Sequence, residues 1–280
     1  MTIGQALIIA KNKLVGISDS PELDAQWLLQ KILNKHETSW LLAHGEEILE
    51  DDQELKFKQL LKRRSTGEPL AYILGAWEFF GRNFYVDNNV LIPRPSTEKL
   101  IELALQAIPD LSAANTNKPF VIADIGTGSG CIAITLCLEL NKRQQATKFS
   151  IIATDISEAA LNVAKKNAAK HNVRNQIEFL TGNFLAPLKD KNVNLIVSNP
   201  PYVPSAEITQ AKQSPTTNTL GITFEPALAL DGGPEGKDFV SRIKKSGIPS
   251  VVETIDGKIV LFNIEKKIGS AREGAPRKIK

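Results

Sequence analysis

Cysteine and histidine are scarce in this chain, and their scarcity excludes two kinds of scaffold. The 280 residues include two cysteines, Cys131 and Cys137, and three histidines. The cysteines fall in one predicted helix, where about 9 Å of rise separates them, so they cannot form a disulfide with each other. No Cys or His spacing suits zinc. We therefore expect reduced core thiols, no metal site, and a reducing compartment such as the cytoplasm.

Long apolar runs and a strong charge of one sign are also missing. The apolar run near the start, Ala6 to Ala10, is shorter than a signal-peptide core, and no stretch approaches the roughly 18 apolar residues of a membrane span. Thirty-four basic against 31 acidic residues leave a net charge of +3. This surplus is too small to predict avid binding to a phosphate backbone. We expect neither a membrane nor a direct nucleic-acid partner.

The patterning predicts two domains and a connector. Apolar residues such as Leu23, Trp27 and Leu28 recur at helical spacing, which predicts a small helical domain over residues 1–78. The period then shortens, and the apolar triplets 84–86 and 90–92 flank an Asp-Asn-Asn turn. This predicts a β-hairpin connector over residues 79–95. Ser96 is predicted to cap the first helix of a larger domain over residues 96–264, and residues 265–280 to form a basic, flexible tail.

The larger domain has the pattern of an α/β fold. Predicted strands at 120–123, 149–154, 177–180 and 195–197 are separated by helical segments. Strands that alternate with helices favour a doubly wound, Rossmann-like parallel sheet. Segments 251–255 and 258–262 flank Asp-Gly, a hairpin signal. Either one hairpin closes the sheet with a strand missing, or an altered end leaves an edge unpaired.

A glycine-rich loop predicts a nucleoside site. Asp124 to Gly130 follows a predicted strand and opens a helix, and its glycines at 126, 128 and 130 permit a tight turn and close approach of a ligand to backbone N–H groups. Asp155 ends the next strand, where a carboxylate can accept hydrogen bonds from both ribose hydroxyls. The spacing G-x-G-x-G differs from the dinucleotide pattern G-x-G-x-x-G. Since Asp124 would repel phosphates and favour a cation, the loop favours S-adenosylmethionine.

The segment Asn199, Pro200, Pro201, Tyr202 predicts the site of chemistry. It follows the strand at 195–197, at the sheet edge where open α/β folds bind ligands. The Asn199 side-chain carbonyl and the Pro200 peptide carbonyl can hold both hydrogens of a planar –NH2 group, while Tyr202 can lie against its flat face. Such nitrogens are poor nucleophiles, so alignment, worth up to about 7–11 kcal/mol, would be the main catalytic effect. No strong general base is required.

Together these motifs resemble the PrmC/HemK family of protein glutamine methyltransferases. The likeness extends from about Pro21 to Phe239 and includes G-E-P-L-A-Y-I-L-G at 67–75, V-L-I-P-R-P at 90–95 and the stretch 224–233. It implies a class I S-adenosylmethionine-dependent methyltransferase fold whose helical domain recognises the substrate. It also implies a transferase for protein methylation in translation termination, acting on the glutamine side-chain nitrogen of the Gly-Gly-Gln motif of class I peptide chain release factors.

The resemblance also assigns residues. Beside Asp124, which the loop's charge already implicates, those implied to contact the cofactor are Gly126, Thr127, Gly128, Ser129, Gly130, Asp155, Phe184 beside the adenine, and Asn199. Those implied to hold and align the substrate glutamine are Asn199, Pro200, Pro201 and Tyr202. The chain departs from the family at Asn183, where Asp is usual but Asn can still accept a bond from the adenine amine, at Ser96, and after about Phe239.

Other functions remain open at this level. A ribosomal-protein glutamine or an exocyclic base amine also presents a planar –NH2 group, so the Asn199 segment does not distinguish these substrates. Asn183 and the atypical C-terminus are compatible with a catalytically silent protein that binds cofactor or release factor. A nicotinamide oxidoreductase is disfavoured by the glycine spacing.

Overall fold

The computed structural model describes residues 1–112, 118–143 and 148–264. The described residues form two compact units: residues 1–76 with 209–224, and those of residues 77–208 with those of 225–264. The predicted tail, 265–280, lies outside the described residues.

The first unit is helical, as predicted. A capping box begins its first helix, because Thr2 Oγ1 accepts a bond from the Gln5 N–H (3.2 Å) and the Thr2 N–H donates to Gln5 Oε1 (2.9 Å). Asp24 and Arg64, on two different helices, form a largely buried ion pair at 2.6 Å. The helices are α1 (Ile3–Leu14), α2 (Pro21–Leu33), α3 (Thr38–Ala43), α4 (Asp51–Ser65) and α5 (Leu70–Leu74).

The buried face of α2 differs from the predicted stripe. Leu23 is 41% exposed and Trp27 is half-buried, whereas Ala25, Leu28 and Leu29 are buried. Leu28 belongs to both the predicted apolar stripe and the observed buried face. The other buried positions of the helix, however, lie on the side of Ala25 and Leu29. Since α2 packs against α1 and α4, its partners, and not its own periodicity, select which edge of the apolar stripe is covered.

A hairpin is present, but the predicted strands were wrong. It is formed by β1 (Trp77–Phe79) and β2 (Arg82–Phe84), in antiparallel register. Phe80 (φ 52°) and Gly81 (φ 67°) make a turn with two left-handed residues, as in type I′ hairpins. The Asp87 turn is instead closed locally, since Asp87 Oδ1 accepts the Asn89 N–H at 2.9 Å. An Asx turn of this kind satisfies the backbone without a strand partner.

The second unit contains the predicted doubly wound sheet. Its strands are β3 (Phe120–Ile125), β4 (Phe149–Asp155), β5 (Ile177–Thr181), β6 (Leu195–Ser198), β7 (Ser250–Glu253) and β8 (Ile259–Phe262). Their spatial order is β5-β4-β3-β6-β7-β8, and all neighbours are parallel except β7 and β8, which are antiparallel. The predicted Rossmann-like class is therefore confirmed.

Helices cover both faces of this sheet. Successive strand residues point to opposite faces, so Leu195 and Val251 join one apolar cluster while Ile196 and Val252 join the other. The helices of the second unit and its connections are α6 (Ser96–Ser112), α7 (Cys131–Lys142), α8 (Glu158–Lys170), α9 (Ser205–Gln213), α10 (Thr217–Leu220), α11 (Ala227–Leu230) and α12 (Asp238–Lys245), with α10 in the first unit. The cluster of Leu195 also contains side chains of α6, α7 and α8, and that of Ile196 contains Ile243 of α12.

One hairpin closes the sheet within the described residues. β7 extends the parallel part, and β8 turns back antiparallel with Val251 opposite Leu261. Gly257 takes φ +67° in the turn, and a Cβ there would lie 2.9 Å from the Ser96 Cβ. Of the two C-terminal alternatives, the described residues match a single hairpin that completes a six-stranded sheet.

None of the described helices has the length and apolar character that crossing a bilayer requires. Both cysteines are buried free thiols in α7, as predicted.

Candidate active site

A cavity of about 360 Å³ opens at the carboxyl ends of β3, β4 and β6. Its volume lies within the range of small-molecule sites. Because parallel strands end at this edge, the loops that follow them converge here. The lining includes residues 126–129, Asp155, residues 182–184, residues 199–201, residues 226–229 and the segment 89–91 with Pro93.

The glycine loop takes the backbone conformations that its sequence predicts. Gly126, Gly128 and Gly130 all have positive φ, at 71°, 53° and 80°. A Cβ on Gly126 or Gly128 would meet nothing within 4 Å, so their requirement is conformational. Gly130 is different, because a Cβ there would lie 2.9 Å from Ile134 and 3.1 Å from Ala164. It packs α7 closely against α8 and does not line the cavity.

Asp155 lines the cavity and supports the loop. Its Oδ2 accepts the Gly128 N–H and its Oδ1 accepts the Ser157 N–H, both at 2.9 Å. Each carboxylate oxygen has a second lone pair, which stays available for a ligand hydroxyl. Burial raises the pKa of Asp155 above its usual value, while its bonds from backbone N–H groups act in the opposite direction. This geometry fits the predicted ribose site.

Asp124 lies beneath the loop and not in the cavity lining. Its side chain is fully buried, and Oδ2 accepts bonds from Thr127 Oγ1 (2.6 Å) and the Ala133 N–H (3.1 Å). Asp124 Oδ1 is buried without a partner among the described residues. Burial raises the pKa of this carboxyl to about 7. The predicted direct contact with the cofactor is therefore replaced by support of the loop from below.

Replacing Asp124 by asparagine is expected to remove a pH-dependent loss of stability. The carboxyl has a pKa of about 7 in the folded chain and 3.8 when unperturbed. The contribution of the neutral carboxyl group to folding stability is thus fully present below about pH 4 and is lost as the pH rises through about 7. Urea unfolding at about pH 5 and pH 8 should show the wild type losing stability relative to Asp124→Asn as the pH rises. The exposed Asp190→Asn is the matched control. If wild type and Asp124→Asn differed in free energy of unfolding by the same amount at both pH values, the expectation would be contradicted.

Asn199 lines the cavity and keeps one side-chain acceptor without a partner among the described residues. Its Nδ2 donates to Thr97 Oγ1 at 3.0 Å, and its Oδ1 is buried with no partner among the described residues. An unpaired buried carbonyl oxygen is costly unless a ligand satisfies it. Pro200 and Pro201 line the same wall and carry no competing N–H. The structure therefore brings three of the four predicted substrate residues together.

Tyr202, the fourth of these residues, is directed elsewhere. It does not belong to the described residues that line the cavity, and its hydroxyl donates to Glu253 Oε1 at 3.4 Å. Burial raises the pKa of the Tyr202 hydroxyl to about 12. A Cβ on Gly236 would lie 2.2 Å from the Tyr202 carbonyl oxygen, so the segment 230–236 packs closely on its backbone. The predicted stacking of Tyr202 on a planar substrate is thus replaced by a bond to a buried carboxylate.

Phe184 and Asn183 both reach the cavity, as predicted. Phe184 has φ 57°, an uncommon conformation for a residue with a bulky side chain. Its ring packs edge-on against Phe239 at 5.5 Å, and the Arg242 guanidinium lies 4.2 Å from its centroid. These two contacts hold the ring in place as part of the cavity wall.

Several residues of this region were missed by the sequence analysis. Glu225 is buried, accepts the Ile92 N–H at 3.1 Å and pairs with Arg94 at 2.6 Å. It therefore joins the segment before α6, which includes residues 89–91 and Pro93 of the cavity lining, to the segment 226–229 of that lining. Thr97, which also lines the cavity, accepts a bond from Asn199 and donates one to Glu253. A carboxylate at the end of an apolar strand, as in Val-Val-Glu, was the available signal for Glu253. The described residues contain no cluster of His, Cys, Asp and Glu suited to a metal.

The fold and the position of the cavity are those of class I S-adenosylmethionine-dependent methyltransferases. Residues 5–75 match the PrmC N-terminal domain, and residues 107–214 match the methyltransferase small domain. The chain is 38% identical over 226 residues to the release factor glutamine methyltransferase of Nitratidesulfovibrio vulgaris, covering 80% of this chain and 70% of that protein. The chain belongs to the release factor glutamine methyltransferase family.

Other similar proteins are also named methyltransferases. The release factor glutamine methyltransferase of Koribacter versatilis is 36% identical over 245 residues, covering 87% of this chain and 80% of the relative. A bifunctional methyltransferase of Rickettsia typhi is 38% identical over 274 residues, covering 93% of this chain. The chain spans 50% of that Rickettsia protein, and so about half the length of some of its relatives.

Proposed function

We propose that the protein transfers a methyl group from S-adenosylmethionine to the glutamine side-chain nitrogen in the Gly-Gly-Gln motif of class I peptide chain release factors. The observation that carries this proposal is the buried, unpartnered Oδ1 of Asn199, a residue of the cavity lining. The names of the relatives at 36–38% identity support the substrate.

The residues present fit the cofactor. Asp155 can accept bonds from the ribose hydroxyls, and Phe184 with Asn183 can take the adenine, whose flat face and amine match a ring wall and an amide oxygen. Asp124 adds negative potential beneath the loop once it is ionised, which suits a ligand that carries a sulfonium and an ammonium. When bound, S-adenosylmethionine supplies the electrophilic methyl group.

The substrate side requires alignment more than acid–base chemistry. Asn199 Oδ1 and the Pro200 carbonyl can each accept one hydrogen of a glutamine –NH2, which fixes the plane of the amide. The proline ring removes the backbone donor at Pro200 and restricts its φ, so the acceptors are preorganised. Holding a weak nucleophile in the reactive orientation can contribute several kcal/mol, up to about 7–11 in well-aligned systems.

The proposal is tested by mapping transferred label. The protein is incubated with methyl-labelled S-adenosylmethionine and a release factor, and the site is located by mass spectrometry. Label is expected on the motif glutamine, and none on a release factor whose motif glutamine is replaced by glutamate. An unlabelled motif glutamine would overturn the substrate assignment. Label on a ribosomal protein or on a base amine would retain the –NH2 chemistry and replace the partner, whereas cofactor binding without any transfer would favour a silent protein.

The domain roles are part of the same proposal. We propose that the helical residues 1–76 recognise the release factor and that the second unit, which begins at residue 77, carries out transfer. The match of residues 5–75 to the PrmC N-terminal domain supports this. The KM for a short Gly-Gly-Gln peptide is then expected to exceed that for the whole release factor. The free buried thiols and a translation factor as substrate support action in the cytoplasm.

A further inference from the structure

A buried carboxylate behind the cavity has no part in the proposed reaction. Glu253, at the end of β7, is 0% exposed. It accepts hydrogen bonds from the hydroxyls of Ser96 (2.8 Å), Thr97 (2.6 Å) and Tyr202 (3.4 Å). These three hydroxyls converge on the two oxygens of one carboxyl group, which can accept a hydrogen bond from each of them. Ser96 is the first residue of α6 and donates to Glu253, so it does not cap the helix as predicted.

The hydroxyl of Thr97 links this carboxylate to Asn199. A hydroxyl has a single hydrogen, and the short contact with Glu253 Oε2 takes it. Thr97 Oγ1 can then only accept from its other neighbour, Asn199. The Asn199 amide must therefore present Nδ2 to Thr97, which leaves Oδ1 as the group that faces away from it, with no partner among the described residues.

We infer that Thr97 and Glu253 are positioning residues that hold the Asn199 amide with its oxygen toward the substrate nitrogen. The inference rests on the proposed function for its catalytic consequence, but the hydrogen-bond chain itself does not. This role explains why a Thr at the start of α6 is bonded to a Glu at the end of β7, although the two residues lie 156 positions apart.

The bond from Asn199 to Thr97 fixes the terminal side-chain torsion of Asn199, and so the direction of its amide oxygen. The terminal torsion of Asn is broad and roughly two-fold, so its amide can turn over when neighbouring groups do not distinguish O from N. A reversed Asn199 would present N–H groups to a substrate –NH2. Two donors facing each other cannot bond, so the reversed fraction would be inactive, and the remainder would be less well aligned.

The test compares isosteric variants of two buried threonines. Thr97→Val keeps the shape and removes the hydroxyl, and is expected to lower kcat roughly 10- to 100-fold at saturating cofactor. The Kd for S-adenosylmethionine should change less than about threefold, because cofactor binding would rely mainly on Asp155 and the glycine loop. Thr97→Ser should recover kcat to within about threefold of the wild type, since it restores the hydroxyl. Thr135→Val is the matched control, because Thr135 is fully buried in α7 and its hydroxyl has no partner among the described residues.

A second readout does not depend on activity. In protein with ¹⁵N-labelled asparagine side chains, the Asn199 amide proton bonded to Thr97 should exchange slowly with solvent. Thr97→Val should accelerate that exchange at least about tenfold. Transfer by the wild type is measured alongside. A wild type that transfers no label overturns the proposed function, while its exchange data still judge the positioning inference. Unchanged exchange and unchanged kcat in Thr97→Val overturn the inference.

A further variant guards against a failure of Thr97→Val to fold. Glu253→Gln has nearly the same shape but can offer an N–H to Thr97, which frees the Thr97 hydroxyl to donate to Asn199 Oδ1. Faster Asn199 amide exchange with a lower kcat is expected. If Glu253→Gln folds and retains both wild-type values, Glu253 has no positioning role.

Discussion

Replacement of Asn199 by alanine is expected to reduce methyl transfer at least roughly 100-fold while the protein remains folded. Asn199 Oδ1 is a buried acceptor without a partner among the described residues, so its removal deletes no described contact of that oxygen. It deletes instead a group proposed to hold the substrate amide, and loss of one such preorganised polar group typically costs about 10²–10³ in kcat. The lost bond from Nδ2 to Thr97 should cost only about 1 kcal/mol of stability.

The measurement is single-turnover transfer to a Gly-Gly-Gln substrate, with urea unfolding of the same preparations. Asn141→Ala is the matched control, because Asn141 lies on α7 and its amide donates to Gln176 away from the cavity. The control should keep its transfer rate. Near-normal transfer by Asn199→Ala would remove the basis of the proposed alignment, and a large loss of stability would make the residue structural.

Replacement of Asp155 by alanine is expected to weaken cofactor binding roughly 100-fold or more. Two charge-assisted bonds to ribose hydroxyls, each worth about 1.5–3 kcal/mol, would be lost, with some discount because the site is partly open to solvent. The change also leaves the N–H groups of Gly128 and Ser157 without their acceptor. Both effects act on binding of the nucleoside and only indirectly on the alignment of the substrate.

Titration calorimetry with S-adenosylmethionine and with its demethylated product measures this effect. The Kd should rise for both ligands by a similar factor, because both carry the same ribose. The exposed Asp190→Ala provides the control. An unchanged Kd in Asp155→Ala would show that the ribose lies elsewhere, even though the carboxylate lines the cavity.

Much of the fold was predictable because its signals are local. The strands β3 to β6 are short apolar runs bounded by turn residues, and the helices between them keep one apolar side. The glycine loop was also predictable from local sequence, because the positive φ at Gly126 and Gly128 is a backbone conformation that glycine adopts readily. The connector hairpin was misplaced because two adjacent segments both carry turn residues, and the Asp87 turn closes on its own side chain.

The site was only partly predictable, for a different physical reason. Asn199, Pro200, Asp155 and Phe184 lie where their motifs indicated. Asp124 and Gly130 instead support the loop from behind, and Tyr202 points to Glu253. Whether a side chain at a strand end faces the cavity or the layer beneath it depends on the packing of the neighbouring helices, which no local pattern specifies.

The amino-acid sequence by itself determined the alternation of strands and helices, the loop that can approach a nucleoside, and the pair of carbonyl acceptors at the end of β6. These follow from backbone preferences and from periodicity within a few residues. Only the tertiary structure decided that Asn199, Thr97 and Glu253 form one chain of hydrogen bonds and that Glu225 joins Ile92 and Arg94 to its own segment. Those partners lie more than 100 positions apart in the chain, and hydrogen bonds of about 3 Å exist only once the sheet has brought its strand ends together.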